Sequence, residues 1–263
     1  MRDEPSSAGT VGKALEVLDQ VATFGRPVRF GELLVASRFP KATLYRFVQT
    51  LTSEGMLTFD ADRQTYALGV RLMRLAHAAW ETASLAPVAR HHIEALSSRV
   101  GETVHLAQLD NASVLYIDKV NAQEPLAMYS QAGKVGPANC TGVGKVMLAH
   151  LPPDQLSRVM SQQSFHRFTP DTLISEEALR DELLAIQRRG YGFDRQEHEP
   201  GIICVAMPIL TDQGRLLGAL SVTSSTARTS LKALEKHVPQ MTATVRAISE
   251  EVVQWRAPDT IKL

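Results

Sequence analysis

Three short amphipathic stretches, a strand–turn–strand segment, and a longer irregular mixture of strands and helices predict a chain in two parts. The expected fold class is an N-terminal winged helix-turn-helix, mostly α with a β-hairpin wing. A linker helix joins it to a larger α+β domain. At 263 residues the chain is long enough for two ordinary domains with real cores.

The first stretch, "TVGKALEVLDQVATFG", places Val11, Leu15, Leu18, Val21 and Ala22 at helical spacing, so one face is apolar. "FGELLVASR" is a shorter helix, with Leu33, Leu34 and Ala36 giving its buried side. "FPKATLYRFVQTLTSEGML" opens with Pro40 at a first helical turn and closes at Gly55. Its apolar stripe is Leu44, Phe47, Val48 and Leu51. The pattern then switches to "MLTF", the turn "DADRQ", and "TYALG", which reads as a β-hairpin. Three helices and a hairpin in this order are the parts of a winged helix-turn-helix.

With the apolar stripe inward, the third helix turns Lys41, Thr43, Tyr45, Arg46 and Gln49 outward. A major groove accepts one α-helix, whose side chains reach phosphates and base edges. Charge agrees locally. The chain carries 28 Lys+Arg against 28 Asp+Glu, so it does not bind polyanions over its whole surface. Yet Arg26, Arg29, Arg38, Lys41 and Arg46 face the single acid Glu32 within one short segment. Arg29 therefore joins the outward residues of the third helix as a candidate DNA contact.

"VRLMRLAHAAWETASL" continues as a helix from Val70 to Leu85, and Pro87 restarts another in "VARHHIEALSSRV". Arg71 and Arg74 are open to either a phosphate contact or a solvated face. Beyond Glu102, "TVHLAQLD" and "SVLYIDKV" read as strands joined at Asn111, with "PLAMYSQAG" as a third. "TGVGKVMLAHL", "PDQLSRVMSQQ" and "SEEALRDELLAIQRRG" are helical. "YGFDRQ", "GIICVAMPIL" and "RLLGALSVTSS" are strands, and a closing helix runs from Leu231 to Trp255. A mixed, largely antiparallel sheet flanked by helices follows from this order.

The string "NCTGVGKVM" looks like part of a phosphate-binding loop, but Asn139 stands where its first Gly belongs and Val146 where its Ser/Thr belongs. That reading fails. No apolar run approaches the ~20 residues of a membrane helix. The first residues, "MRDEPSSAGT", carry no apolar leader. Two cysteines give no disulfide framework, and a cytoplasmic location is expected.

"KATLYRFVQTLTSEGMLTFDADRQTYALG" resembles the DNA-reading half of the IclR-type bacterial transcription regulators, through Lys41, Thr43, Tyr45, Arg46, Leu51, Gly55, Tyr66, Leu68 and Gly69. The likeness continues to nearly the end of the chain. Gly133, Pro137, Thr141, Gly144 and Lys145 match one family signature, and Asp194, Glu197, Gly201, Cys204, Ala206 and Pro208 match another. "ETVHLAQLDNASVLYIDKV", "LAMYSQAGKVGP" and "GVGKVMLA" look like the branch of repressors that respond to 2-keto-3-deoxygluconate.

The resemblance implies a winged helix-turn-helix over residues 1–69, a linker helix over 70–86, and a GAF-like effector-binding and oligomerisation domain over 87–263. It implies double-stranded operator DNA as one partner and a small organic acid, a sugar acid or keto acid, as effector. It also implies a homodimer or dimer of dimers, with no catalytic residue, metal or cofactor. Effector contacts are implied at Asp194, Cys204, Ser221 and Thr223, with Asn139 and Cys140 joining them. Ser221 and Thr223 stand two apart on a strand and hence on one face. Thr141 and Gly142 open a helix whose unpaired N–H groups favour a carboxylate.

Two alternatives stay open. Cys140 with a distant histidine would make a cysteine-dependent enzyme if its thiol were activated. Asp194, His198, Cys140 and Cys204 are suitable donor types for Zn²⁺, which would make a metal-sensing regulator on the same scaffold.

Overall fold

The first helix buries a different stripe from the one its sequence advertises. The computed structural model describes residues 9–124 and 127–255. Residues 1–8, on which the leader reading rests, lie outside the described residues, as do Pro125 and Leu126 of the expected third strand. In α1 (Thr10–Thr23), Val17, Leu18 and Val21 are buried and Ala14 packs against them. Val11 is 75% exposed and Leu15 48%. Two overlapping apolar stripes share Leu18 and Val21, and the one through Ala14 and Val17 faces the core.

The short strand β1 (Val28–Arg29) was not expected. It leads into α2 (Phe30–Ala36), where Leu33 is buried, Leu34 half-buried and Ala36 exposed. The buried side of α2 is thus narrower than its sequence indicates. Then α3 (Lys41–Ser53) starts directly after Pro40 and buries Leu44, Phe47, Val48 and Leu51, the stripe read from the sequence. The wing follows as β2 (Leu57–Asp60) and β3 (Thr65–Leu68). Asp60 Oδ1 closes the turn by accepting from the Asp62 and Arg63 N–H groups, both at 3.0 Å. Because β1 pairs with the outer side of β3, the hairpin is one part of a three-stranded sheet ordered β1-β3-β2.

Helix α4 (Val70–Ala83) stops two residues short of the expected Leu85. Arg71 Nη1 donates to the carbonyl and the carboxylate of Glu54, each at 2.8 Å, so its charge is engaged within the winged unit. The chain divides into two compact units between Glu81 and Thr82.

In the second unit, Pro87 lies in the first turn of α5 (Ala86–Val100). Strands β4 (Thr103–Asp110) and β5 (Ser113–Val120) form a hairpin in which Asn111 takes the left-handed conformation, φ 52°. The expected third strand is replaced by a loop over 127–134, and β6 (Val135–Pro137) pairs only its three residues with β5. The reason lies in the backbone: Gly133 N–H donates to Tyr116 O at 2.8 Å and Lys134 N–H turns back to Gln131 O, which tightens the segment into a turn.

Three helices, α6 (Gly142–Leu148), α7 (Pro153–Met160) and α8 (Glu176–Arg189), precede β7 (Gly192–Arg195), β8 (Ile202–Leu210) and β9 (Leu216–Ser225). The closing helix is interrupted. After α9 (Leu231–Leu234) a 3-10 turn leads into α10 (Val238–Trp255), where Pro239 sits in the first turn and cannot continue a preceding helix.

The six-stranded sheet is antiparallel throughout and ordered β6-β5-β4-β9-β8-β7. Both faces are buried. Val104, Leu106, Ile203, Val205, Leu220 and Val222 face α5 and α10, forming one core. The alternate residues, among them Cys204, Ala206 and Ala219, face α6, with α8 packed behind it. This is the α+β class expected. Among the described residues no helix is long and apolar enough to cross a membrane.

Candidate functional site

On the winged unit, Lys41, Tyr45, Arg46 and Gln49 are exposed along α3, and Thr43 is half-buried. Arg29 is exposed at the junction of β1 and α2. Tyr45 is 52% exposed yet held in place by an edge contact with Phe30, centroids 5.8 Å apart. The basic segment is not uniformly available. Arg26 is paired with Glu32 at 2.6 Å, and Arg38 holds Glu16 through two hydrogen bonds of 2.7 and 2.6 Å. Lys41 and Arg46 have no ion-pair partner among the described residues, so their charge is free for an external anion.

The second site is built by strand register. On the sheet face toward α6, Thr223, Cys204 and Asp194 stand side by side, since Thr223 pairs with Cys204 and Cys204 with Asp194. One step along, His105 pairs with Ser221, Ser221 with Ala206, and Ala206 with Gly192. The first row is polar. The small residues of the second let α6 sit close to the sheet. That approach needs glycine on the helix side too, because a Cβ at Gly142 would run into Cys204 Sγ.

Thr141 caps α6: its Oγ1 accepts from Gly144 N–H at 3.3 Å and donates to Pro137 O at 2.7 Å. The N–H groups of Gly142 and Val143 are first-turn donors with no acceptor inside the helix, and both residues line a cavity of about 30 Å³. Thr141, Asp194, Cys204, Ser221 and Thr223 line it as well. Six of the eight expected effector residues thus converge from four segments of chain.

Asn139 and Cys140, the other two expected residues, are not among those lining this cavity. Asn139 donates to Leu173 O at 3.2 Å, and Cys140 is fully buried.

As effector contacts, sequence reasoning missed His105, Tyr116, Ser130, His198, Glu199 and Ile202, which complete the lining. His105 joins three hydroxyls: its Nδ1 lies 3.2 Å from Thr223 Oγ1 and 3.5 Å from Ser221 Oγ, and its Nε2 lies 2.9 Å from Ser130 Oγ. Burial pulls its pKa down to about 3, helped by the charge of Lys119, so the imidazole is neutral and offers one donor and one acceptor. A signal existed: His105 occupies an inward position in the alternation of "TVHLAQLD". Ser130, His198 and Glu199 come from loops, where no periodicity marks them.

A buried charge cluster underlies the cavity. Lys145, fully buried in α6, is ion-paired to Glu197, itself 2% exposed. Glu197 Oε1 also accepts from Arg195 N–H at 3.3 Å, and Oε2 has no hydrogen-bond partner. Glu197 N–H donates to Asp194 Oδ1 at 2.8 Å. One lysine thus serves two carboxyl groups. Burial, then the charge of Glu197, pushes the Asp194 carboxyl up to about 7, with Lys145 opposing. Asp194 is therefore poised between a hydrogen-bond donor and an anion near neutral pH.

The open alternatives meet this geometry directly. Burial, then the Asp194 charge, pushes the Cys140 thiol up to about 12, the reverse of an activated nucleophile. Cys204 is likewise raised by burial. Asp194, His198, Cys140 and Cys204 do not bring three donor atoms together; the group that does so among the described residues lies elsewhere.

Comparison with known proteins matches both units. Residues 10–61 fit the family model for the IclR helix-turn-helix domain, and residues 77–250 that for the bacterial transcriptional regulator IclR C-terminal region. The chain is 31% identical to the HTH-type transcriptional regulator KdgR of Dickeya chrysanthemi over 249 residues, 95% of this chain and 81% of that protein. It is also 31% identical to KdgR of Escherichia coli, over 95% of this chain and 94% of that one. In fold it resembles an IclR homolog from Microbacterium hydrocarbonoxydans crystallised with 4-hydroxybenzoate, with a TM-score of 0.80 at 24% identity, covering 94% of this chain and 100% of that one.

Proposed function

The chain belongs to the IclR family of bacterial transcriptional regulators, and on that premise we propose that a small organic acid, a sugar acid or keto acid, sets its affinity for operator DNA. Lys41, Thr43, Tyr45, Arg46 and Gln49 of α3, with Arg29, form the DNA-reading face. Lys41 and Arg46 supply phosphate or guanine contacts, and Tyr45, Thr43 and Gln49 supply hydrogen bonds.

The effector occupies the cavity beneath α6. The observation that carries this reading is the convergence of Thr141, Gly142, Asp194, Cys204, Ser221 and Thr223 around one buried space. First-turn N–H groups and the Asp194 carboxyl suit the acid end of a ligand. Ser221, Thr223, Ser130 and neutral His105 suit hydroxyls or a keto oxygen. Asn139 and Cys140 form the layer that positions Thr141. A cavity of about 30 Å³ holds water rather than a six-carbon acid, so effector entry requires the loop over 127–134 or the side chains it carries to give way. That requirement couples binding to conformation: an effector that favours one arrangement biases DNA affinity by linkage. The assembly is a homodimer or dimer of dimers.

The test is a thermal-shift screen with 2-keto-3-deoxygluconate, related sugar acids, keto acids and 4-hydroxybenzoate. DNA affinity is measured in parallel by fluorescence anisotropy. A ligand at a hundred times its dissociation constant stabilises by about 2.7 kcal/mol, well within detection. A shift that disappears in Ser221→Ala while DNA binding persists supports the site. An unchanged shift in that variant and in Asp194→Ala refutes it.

A further inference from the structure

We propose that His91, His92 and Glu251 form a divalent transition-metal site that fastens α5 to α10. The three lie on the sheet's far side from the effector cavity, and no part of the proposed function uses them.

His92 Nε2 lies 2.9 Å from Glu251 Oε2, and His91 Nε2 lies 3.5 Å from the same oxygen. All three donor atoms fall within 4.8 Å of one another. Tetrahedral ligands at zinc bond lengths stand roughly 3.3 Å apart, so both observed separations are close to a bound geometry. Successive side chains on a helix diverge by about 100°. The imidazoles of His91 and His92 nonetheless lie together, centroids 3.8 Å apart and tilted by 37°, with both Nε2 atoms near one carboxylate oxygen. That convergence is what a chelating pair requires.

Hydrogen bonding alone explains part of this, since His92 can donate to Glu251 when its proton is on Nε2, but His91 is held near the same oxygen without a hydrogen bond. Metal binding moves that proton to Nδ1 or to solvent and puts the ion between the two Nε2 atoms and Glu251 Oε2. Two imidazoles and one carboxylate suit Zn²⁺, Ni²⁺ and Cu²⁺, not Mg²⁺ or Ca²⁺, which take all-oxygen shells. The ring of His91 is 62% exposed, which leaves a fourth position open to water and a path for the ion. Helix α10 packs against both α5 and β8, so a bridging ion holds the last helix of the domain against the first.

The experiment uses the full chain, stripped with chelator and dialysed, in calorimetric titrations with Zn²⁺ and Ni²⁺ and with Mg²⁺ as control. The expected result is one Zn²⁺ per chain, no response to Mg²⁺, and a raised unfolding midpoint with Zn²⁺. His92→Ala and Glu251→Gln, each checked for native circular dichroism, weaken binding by more than about 100-fold, beyond the loss of an outer-shell partner. Co²⁺ in place of Zn²⁺ gives a spectrum without a sulfur-to-metal band. Binding below one equivalent, parent-like affinity in both variants, or a thiolate band that moves the ion to Cys140 or Cys204 overturns the proposal.

Discussion

Replacing Asp194 by Asn removes one titrating proton from the floor of the cavity and keeps its shape. Asn Oδ1 still accepts from Glu197 N–H, as Asp194 Oδ1 does at 2.8 Å. In the folded chain the Asp194 carboxyl is pushed up from 3.8 to about 7, mainly by burial. The unfolded chain therefore gives up this proton first. Between about pH 4 and pH 7 the native state holds a proton that the unfolded state has lost, so stability falls as pH rises through that window. The change is complete above the folded value. At about 1.4 kcal/mol per unit, the rise amounts to roughly 4 kcal/mol. Asp194 is 7% exposed, so solvent screening takes little from it. Urea unfolding of parent and Asp194→Asn, followed by circular dichroism from pH 4.5 to 8, isolates the Asp194 proton together with the response of its coupled neighbour Glu197, since the more distant carboxylates titrate alike in both. The variant is expected to gain on the parent steadily with pH and to exceed it by several kcal/mol above pH 7. Parallel curves would refute the account of a proton-holding Asp194.

Arg46→Ala is expected to weaken operator binding without changing the thermal midpoint, and to flatten the salt dependence of the binding constant by about 0.9 if Arg46 meets a phosphate; anisotropy titrations at several salt concentrations check it, and an unchanged slope removes that contact. Lys145→Met leaves buried Glu197 with only the longer Arg195 contact at 4.0 Å and is expected to destabilise the chain by about 3 kcal/mol, read as a lower urea midpoint. Lys145→Met combined with Glu197→Leu should recover most of that loss, because the cost lies in the orphaned charge.

What the sequence made legible tracks the physics each pattern reports. Helix α3 has a single apolar stripe, so its buried and exposed faces follow from spacing alone. In α1 two stripes overlap, and only packing chooses between Leu15 and Val17. Period two put Ser221 and Thr223 on one face, but that Thr223 neighbours Cys204 and Cys204 neighbours Asp194 is a matter of register between distant strands. No single strand carries that information. The family resemblance supplied the same residues by another route. Strand β1 escaped notice because its two residues are too few for any alternation. The ion pairs of Arg26 and Arg38 escaped because a basic segment looks alike whether its charges are free or engaged with acids such as Glu16, which lies 22 residues from Arg38.

The phosphate-loop string shows how the same residue types change meaning with burial. In a nucleotide site the lysine after Gly must reach outward to terminal phosphates. Lys145 points inward, is fully buried, and is neutralised by Glu197, so it has no charge left to offer a phosphate. Its electrostatic effect falls instead on Asp194, three residues before Glu197. Glu197 has both Lys145 and, at 4.0 Å, Arg195 as partners, so it is the better compensated of the two buried acids, and Asp194 keeps its proton toward neutral pH. A cavity floored by a protonated carboxyl can donate to an incoming carboxylate, where a charged floor would repel it. Lys145 opposes that protonation, and the burial of Asp194 with the charge of Glu197 outweighs it.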